Sequence, residues 1–445
     1  MTDRTTPPPL RPLTDICLPA PRRIVTPRGI PMCIIDAKDT DLVRLSLRWD
    51  GGKADFDNPA AAGILFEVMQ EGSADYSAAA IADAIDYAGA RMGGRPSEHH
   101  CGIDLIVLRS RLGRLLPMLE SVIARPEFAD ESVAMVCRRT ASICAVDSAK
   151  VPVVASNLIK PLIYGAGKPL SRIVVPEDYS AVTPHMLRQI HSATYLSAPL
   201  HVFVAGNIDD ATLLMLTDFV DSLPSATATT ASPVRVCPME PEAPHTVGRV
   251  MPEARQSALC MAIPTIGRSH PEYIKLRLAV MALGGYFGSR LMQNIREERG
   301  LTYGISASLQ GLFEGAFAQI EAQCAPESVD EVIEQSKFEI NRLVTQPPAG
   351  DELQRLKLKA WMALAGTTDS PLTVLGYYIT MLTVGTDSDY FARQIETIRQ
   401  LRPDDIAAMA SSYLDPSLWS VAVAGPETDT TVSTAGACTE GFLPD

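Results

Sequence analysis

Apolar positions recur along the chain with two periods, which predict a mixture of strands and helices. Alternation typical of half-buried antiparallel strands occurs over 43–49 and 102–108, and further strands are predicted in the second half. These later strands are 258–263, 303–309 and 316–322, with Phe313-Glu314-Gly315 as the turn between the last two. Amphipathic patterns with helical spacing cover 59–71, 77–90, 129–145, 271–283, 289–299, 327–345 and 388–401. Runs of strands with helices packed on one face indicate an α+β fold.

The two halves of the chain resemble each other at one fixed spacing. A helix that starts at Pro184 is followed by a strand that ends at Gly206, and a second such pair starts at Pro403 and ends at Gly425. Both prolines and both glycines are 219 residues apart. A shared spacing at two kinds of position, with similar apolar patterns between them, indicates a tandem duplication.

One segment between the halves, 223–244, has the composition of a linker. It consists largely of small polar residues and proline, so it has no apolar face to bury. We therefore predict two homologous α+β domains in tandem, 1–222 and 245–445, joined by this linker. Each domain is expected to be a mostly antiparallel sheet with helices packed on one face.

Composition and charge exclude several classes of function. The 445 residues carry a net charge of −13 and a pI of about 5.1, which disfavours nucleic acid as a partner. The first twenty residues lack the apolar stretch of a secretory signal, and no run of eighteen apolar residues occurs, so we expect no membrane association and a cytoplasmic location. Nine widely spaced cysteines without a Cys-x-x-Cys pair disfavour a disulfide scaffold and a structural zinc knuckle.

Histidine provides little evidence for a metal site. None of the seven histidines stands in a His-Glu-x-x-His or His-x-x-Glu-His motif, and Glu98-His99-His100-Cys101 is the only cluster. Neighbouring residues of a strand point to opposite faces, so His99 and His100 are poorly placed to share a metal. A polar strand entrance is the favoured interpretation, with a zinc site built on His99, His100 or Cys101 as the weaker alternative.

A helix and strand in the second half carry a more specific pattern. The predicted helix 289–299 ends at Gly300, which suits a left-handed C-terminal position, and a strand begins at Tyr303. Because the strand runs back beside the end of the helix, Arg296 and Tyr303 could converge. A guanidinium and a phenol are donors suited to a developing oxyanion. The structural alternative is an arginine that pairs with helix-end carbonyls and a tyrosine that packs in the core.

These residues resemble a known signature. Gly284-Gly285-x-x-x-Ser289-Arg290-Leu291, followed by Arg296-x-x-Arg299-Gly300-Leu301-x-Tyr303, is similar to the second-domain signature of the pitrilysin/insulinase family of zinc metallopeptidases. That family includes the mitochondrial processing peptidase and small bacterial two-domain homologues. The resemblance covers nearly the whole chain, because the duplicated halves, the linker and the length all fit the bacterial type.

The zinc ligands that the resemblance implies are missing from this sequence. The family's inverted His-x-x-Glu-His motif aligns with 64–68, where Ile64 and Val68 replace both histidines and only Glu67, in the place of the general base, remains. The family's third ligand, a glutamate about 76 residues further on, falls at Cys144. The resemblance therefore implies that this chain itself holds no metal or other cofactor.

The resemblance implies a division of labour between two subunits. In related bacterial enzymes one subunit carries the zinc motif and the other carries the arginine and tyrosine, and peptides are cut in the chamber between them. We therefore expect a non-zinc subunit of a heterodimeric peptidase, in which Arg296 and Tyr303 bind the substrate and its oxyanion at a zinc site of the partner. It would be inactive alone, where it could form a homodimer. The alternative is an inert family member that acts as a peptide-binding or scaffold protein.

Overall fold

The computed structural model describes residues 15–226, 238–313 and 315–427. The sequence-predicted linker therefore lies partly outside the described residues, as does Glu314 in the predicted turn. Two parts of the linker are described, 223–226 and 238–244. The start of the predicted linker is buried, because Leu223 belongs to the core of the first half and Ser225 is 3% exposed. The second part is largely exposed, and Glu240 and Glu242 donate backbone hydrogen bonds to Tyr164 and Leu162.

The first half forms a six-stranded sheet with helices between its strands. In spatial order the strands are β1, β2, β6, β3, β5 and β4, and all neighbours are antiparallel except the parallel pair β2 and β6. The strands are β1 (Arg22–Val25), β2 (Pro31–Asp36), β3 (Leu42–Asp50), β4 (Arg91–Pro96), β5 (His100–Leu108) and β6 (Leu200–Gly206). The helices are α1 (Pro59–Met69), α2 (Ala78–Ala88), α3 (Arg109–Ala124), α4 (Asp130–Ser148), α5 (Val151–Tyr164), α6 (Pro176–Ser180), α7 (Pro184–His191) and α8 (Asp210–Ser222).

The second half repeats this arrangement with one strand fewer. Its sheet has the order β7, β11, β8, β10 and β9, again with one parallel pair, β7 and β11. Strand by strand, it matches β2, β6, β3, β5 and β4 of the first sheet. The strands are β7 (Thr246–Val250), β8 (Ser257–Thr265), β9 (Thr302–Gly311), β10 (Ala316–Cys324) and β11 (Ser420–Gly425). The helices are α9 (Tyr273–Gly284), a π-helix (Met292–Glu298), α10 (Val329–Thr345), α11 (Gly350–Ala365), α12 (Pro371–Val384), α13 (Tyr390–Gln400) and α14 (Pro403–Tyr413).

The predicted α+β class, with two duplicated and mostly antiparallel sheets, is confirmed. Each sheet buries one face against the helices of its own half, because alternate strand residues such as Leu45 and Leu47, or Leu259 and Met261, are apolar. Burial of these faces supplies the two main hydrophobic cores of the molecule.

The opposite face of each sheet is covered by a helix from the other half, which the sequence did not predict. Helix α5 packs on β8 and β11 of the second sheet, and α12 packs on β2 and β6 of the first. The second sheet presents small side chains to α5, including Ala258, Ala262, Ala422 and Ala424, which allow the helix to approach closely. The two halves are therefore joined by a reciprocal exchange of helices.

Within the described ranges, no single helix is long and apolar enough to cross a membrane. Helices α4 and α5 together have the length and apolar composition of a membrane span, but the chain bends by 91° between them.

Candidate functional site

The segment that carries Arg296 packs against β9 and contains an irregular helix. Residues 290–291 are α-helical, and the turns over Met292–Glu298 then widen to a π-helix. The predicted C-terminus is confirmed, since Gly300 has a φ of +66° and the Leu301 amide donates to the Ile295 carbonyl over 2.9 Å. Gly284 allows this close packing, because a Cβ there would lie 2.5 Å from the backbone nitrogen of Ala307 in β9.

A buried polar network fixes this helix. Asn294 donates to the carboxylate of Glu339 over 2.6 Å and accepts from Arg299 Nε over 2.7 Å. Glu339 is fully buried and also accepts from Arg342 over 2.9 Å. The charges and hydrogen-bonding groups of this network are thus paired, as burial requires. The network holds the backbone that carries Arg296.

A second ion pair anchors the start of the same segment. Arg290 is buried and donates to both carboxylate oxygens of Glu352, over 2.8 and 3.1 Å, and also to the carbonyl of Gln346. Such a bidentate contact fixes both the position and the orientation of the Arg290 guanidinium. Arg290 and Arg299, which belong to the sequence signature, therefore have structural roles in the folded chain.

The side chains of Arg296 and Tyr303 lie at the surface and point to different surroundings. The Arg296 guanidinium lies 4.7 Å from the ring centroid of Phe287 and donates to Glu297 over 2.7 Å. Tyr303, next to the first residue of β9, is 91% exposed. Among the described residues no hydrogen bond joins Arg296 to Tyr303. The elements that carry them are adjacent, as predicted. The sequence pattern did not indicate the contact with Phe287, which is itself 63% exposed.

The positions that align with the family's zinc ligands do not fit a metal. Ile64 and Val68 are each 1% exposed and belong to the hydrophobic core of the first half. Glu67 lies at the surface, where its carboxylate pairs with Arg139 over 3.3 Å. Cys144 is half-buried, and its Sγ is 3.5 Å from the carbonyl oxygen of Val174. Two apolar side chains and a carboxylate already paired with an arginine offer no ligand set for zinc.

Tyr179 lies beside these positions and was not indicated by the sequence. Burial raises the pKa of its phenol to about 12, and the acidic groups of Cys144, Asp178 and Glu67 act in the same direction. A phenol with so high a pKa stays neutral at physiological pH, so it adds no anionic ligand. In the part of the chain that the structure describes, no group of three or more His, Cys, Asp or Glu side chains is arranged to hold a metal ion.

The alternative cluster at the start of β5 is divided between the two faces of the sheet. Cys101 points into the core of the first half, and burial raises the pKa of its thiol to about 12. His100 lies on the opposite face, where its Nε2 is 3.7 Å from Asp50 Oδ1. The same oxygen of Asp50 is 3.2 Å from the Nε2 of His201. Cys101 and His100 therefore do not meet at one site. His99 packs edge-on against Phe313 of the second half, with ring centroids 5.7 Å apart.

Comparisons with known proteins agree with this fold. Residues 181–359 match the family model described as the peptidase M16 inactive domain. An uncharacterized zinc protease of Mycobacterium leprae is 26% identical over 270 residues, and one of Streptomyces coelicolor is 26% identical over 278 residues. These findings support a pitrilysin (M16) family member of the inactive type, with the family match confined to residues 181–359. The matches span 60% and 59% of this chain, and 60% and 57% of the length of these relatives.

Solved structures show the same fold over almost the whole chain. The structure of an M16 inactive domain from Pseudomonas fluorescens superposes with a TM-score of 0.80 at 20% identity. The superposition includes 92% of this chain and 98% of the Pseudomonas chain. A protease from Helicobacter pylori has a TM-score of 0.82 at 13% identity, with 92% and 100% covered. The chain therefore has the fold of these solved M16-type structures, with Ile64 and Val68 at the positions that align with the family's two histidine ligands.

Proposed function

We propose that this chain is the non-zinc subunit of a heterodimeric peptidase of the pitrilysin family. Arg296 and Tyr303 would contact the peptide in a site whose zinc is held by a homologous partner subunit with a His-x-x-Glu-His motif. The observation that carries the proposal is the contrast between the halves. Ile64 and Val68 are buried core residues, whereas Arg296 and Tyr303 lie at the surface, on a helix and on β9 respectively. The Arg290–Glu352 ion pair and the Asn294–Glu339 hydrogen bond hold that helix in place.

The two side chains would do different work on a bound peptide. Arg296 supplies a fixed positive charge that can donate to the oxyanion, and Tyr303 supplies a neutral phenolic donor on an exposed ring. Their position at the surface suits contact with a second subunit, because Tyr303 is exposed and the Arg296 guanidinium lies on the exposed ring of Phe287. The peptide itself would be held by both subunits.

Kinetics of the reconstituted complex test this function. We expect Arg296→Ala and Tyr303→Phe to lower kcat by ~10²–10³ for a lost oxyanion donor, with little change in KM. Arg138→Ala and Tyr87→Phe are matched controls, because both residues are exposed and lie in the first half, on helices α4 and α2. Both controls should leave kcat unchanged. The proposal requires a partner, so the chain alone should cleave no peptide. An unaltered kcat in both test variants would contradict it.

Two observations favour the second candidate, an inert peptide-binding or scaffold protein. Arg296 is already paired with Glu297 and stacked on Phe287, so its charge is partly satisfied within the chain. Strand β4 is also the last strand of its sheet, and its outer edge can pair with an extended peptide without any catalysis. An inert protein would bind peptide and partner equally well in the Arg296→Ala variant, with no turnover to lose.

A further inference from the structure

One face of the first sheet is apolar over β2 and β6, where α12 covers it, and charged over β3, β5 and β4. Helix α12 packs on Cys33, Ile35, Phe203 and Ala205 of β2 and β6. Beyond it, the same face continues over β3, β5 and β4, where the cross-strand register places charged side chains. These are Arg44 and Arg48 of β3, Asp104 of β5, and Arg91 and Arg95 of β4.

A cavity of about 510 Å³ opens over this charged part of the sheet. Its floor is backbone, because Gly102 of β5 stands directly between Arg48 and Arg95 in the register, and Gly93 stands beside Asp104. A Cβ at Gly102 would lie 2.9 Å from a nitrogen of the Arg48 guanidinium, so this arginine lies flat across the glycine. Thr383, near the end of α12, closes one side.

The charges around the cavity do not cancel. Asp104 accepts from Arg48 over 2.8 Å, from Arg44 over 3.0 Å and from Ser46. Burial alone would raise the pKa of Asp104, but Arg48, Ser46 and Arg44 outweigh it and hold the pKa below its usual value, so this carboxylate is ionised. Arg95 is exposed and has no ion pair or hydrogen bond within the described residues.

The result is a positive surface on an acidic protein. Among the residues that the structure describes, this face carries four arginines, Arg44, Arg48, Arg91 and Arg95, and two acidic groups, Asp104 and Asp50. Asp50 lies between His100 and His201. The whole chain carries −13, so the surplus of arginine here is local. A cavity with an unpaired cation at its mouth attracts anionic groups selectively.

We propose that this cavity binds the carboxylate side chain of an acidic residue in an extended peptide, with Arg95 as its principal contact. The proposal rests on the proposed function in one respect, namely that the chain binds peptides. It specifies in addition that one residue of the bound peptide is acidic. The cavity adjoins the outer edge of β4, so a peptide paired with that edge would place alternate side chains on this face beside Gly93 and Arg95.

Peptide binding by the isolated full chain tests the proposal without a partner or turnover. The probes are two fluorescein-labelled nine-residue peptides that are identical except for a central Glu or Gln, measured by fluorescence anisotropy at low salt. We expect the Glu peptide to bind about five- to tenfold more tightly, as for a charge-assisted contact in a partly enclosed site. Arg95→Gln should remove this preference, and Arg138→Gln, an equal loss of charge on exposed α4, should retain it.

A charge reversal gives a second, independent arm. Arg95→Glu should make a peptide with a central Lys bind more tightly than its Glu twin, and because Arg95 is exposed the variant should fold normally. Equal binding of the Glu and Gln peptides, or an equal effect of Arg95→Gln and Arg138→Gln, would overturn the proposal. So would the absence of binding by any peptide. Failure of the proposed function appears elsewhere, as an unchanged kcat in the reconstituted Arg296→Ala complex.

Discussion

The carboxylate of Glu67 lies 3.3 Å from a guanidinium nitrogen of Arg139, and this ion pair joins α1 to α4. In the family, the glutamate at this position of the motif serves as general base beside a zinc ion. Here its charge is balanced by an arginine, while Ile64 and Val68 on the same helix are packed in the core. The three side chains of this motif are therefore either packed in the core or paired within the chain.

Restoring the two histidines should not restore a metal site. We expect the Ile64→His/Val68→His double variant to hold no stoichiometric zinc after mild chelation. The carboxylate of Glu67 is paired with Arg139, and the position of the family's third ligand is a cysteine, Cys144, instead of a glutamate. Burying two imidazoles in place of apolar side chains should also cost roughly 1–3 kcal/mol each in the free energy of unfolding. Elemental analysis and urea denaturation measure the two effects. About one zinc per chain, in the wild type or in this variant, would contradict the prediction.

The buried Glu339 should be important for stability. Glu339→Ala removes the acceptor of Arg342 and the shorter of the two acceptors of the Asn294 amide, which keeps only Gln335, so we expect a loss of roughly 2–4 kcal/mol in the free energy of unfolding. Glu339→Gln is the matched variant, since it keeps the side-chain volume and one acceptor oxygen, and its loss should be smaller. Denaturant titration followed by circular dichroism measures both. Equal stability of Glu339→Ala and the wild type would show that the network does not hold the helix.

The sequence predicted those features of the fold that depend on local pattern. Alternation predicted the strands around Val43–Trp49 and Gly102–Leu108, and the spacing between Gly206 and Gly425 predicted the duplication, because both follow from residue types that recur in order. Gly300 predicted the end of the helix for the same reason. These signals are local, so no knowledge of tertiary contacts was required.

The sequence could not predict features that arise between distant elements. The apolar pattern of α5 and α12 does not show which sheet each helix covers, and the exchange across the halves is set by tertiary packing. The π-helical turns at 292–298 contain Asn294, whose amide contacts Glu339 of α10, and this partner is 45 residues away in sequence. The stacking of Arg296 on Phe287 likewise depends on the folded turn between α9 and the π-helix, which the sequence pattern does not specify.

The exchange of helices makes the small residues of β11 sensitive to size. Ala422 is fully buried and faces α5, so Ala422→Leu should force the helix away from the sheet. We expect a loss of roughly 1–3 kcal/mol in the free energy of unfolding, the usual range for overpacking. Ala79→Leu, at an exposed position of α2, is the control and should change stability little. Urea unfolding of the two variants gives the comparison. If Ala422→Leu were as stable as Ala79→Leu, α5 would not be tightly packed on this sheet.

Stability should fall as the pH decreases from about 6.5 towards 4, and His100 should account for much of the loss. Burial lowers the pKa of His100 to about 4 from 6.5, and the nearby charges of His201, His99 and Arg48 add to this effect against the opposing influence of Asp50.

In this pH range the unfolded chain therefore binds a proton that the folded chain excludes, so protonation favours unfolding. The contribution of His100 is fully present above pH 6.5 and is lost progressively below it, with a total on the order of 2–3 kcal/mol. Burial also lowers the pKa of His191, which should add a smaller loss of the same sign.

Unfolding free energies of the wild type and His100→Gln, measured from pH 7 to pH 4, separate the contribution of His100. The variant should lose less stability over this range, while His185→Gln, at an exposed position of α7, should follow the wild-type curve. Because Gln cannot gain a proton, the difference between the curves isolates the titration from the packing of the side chain. Parallel curves for the wild type and His100→Gln would show that His100 does not govern the acid sensitivity.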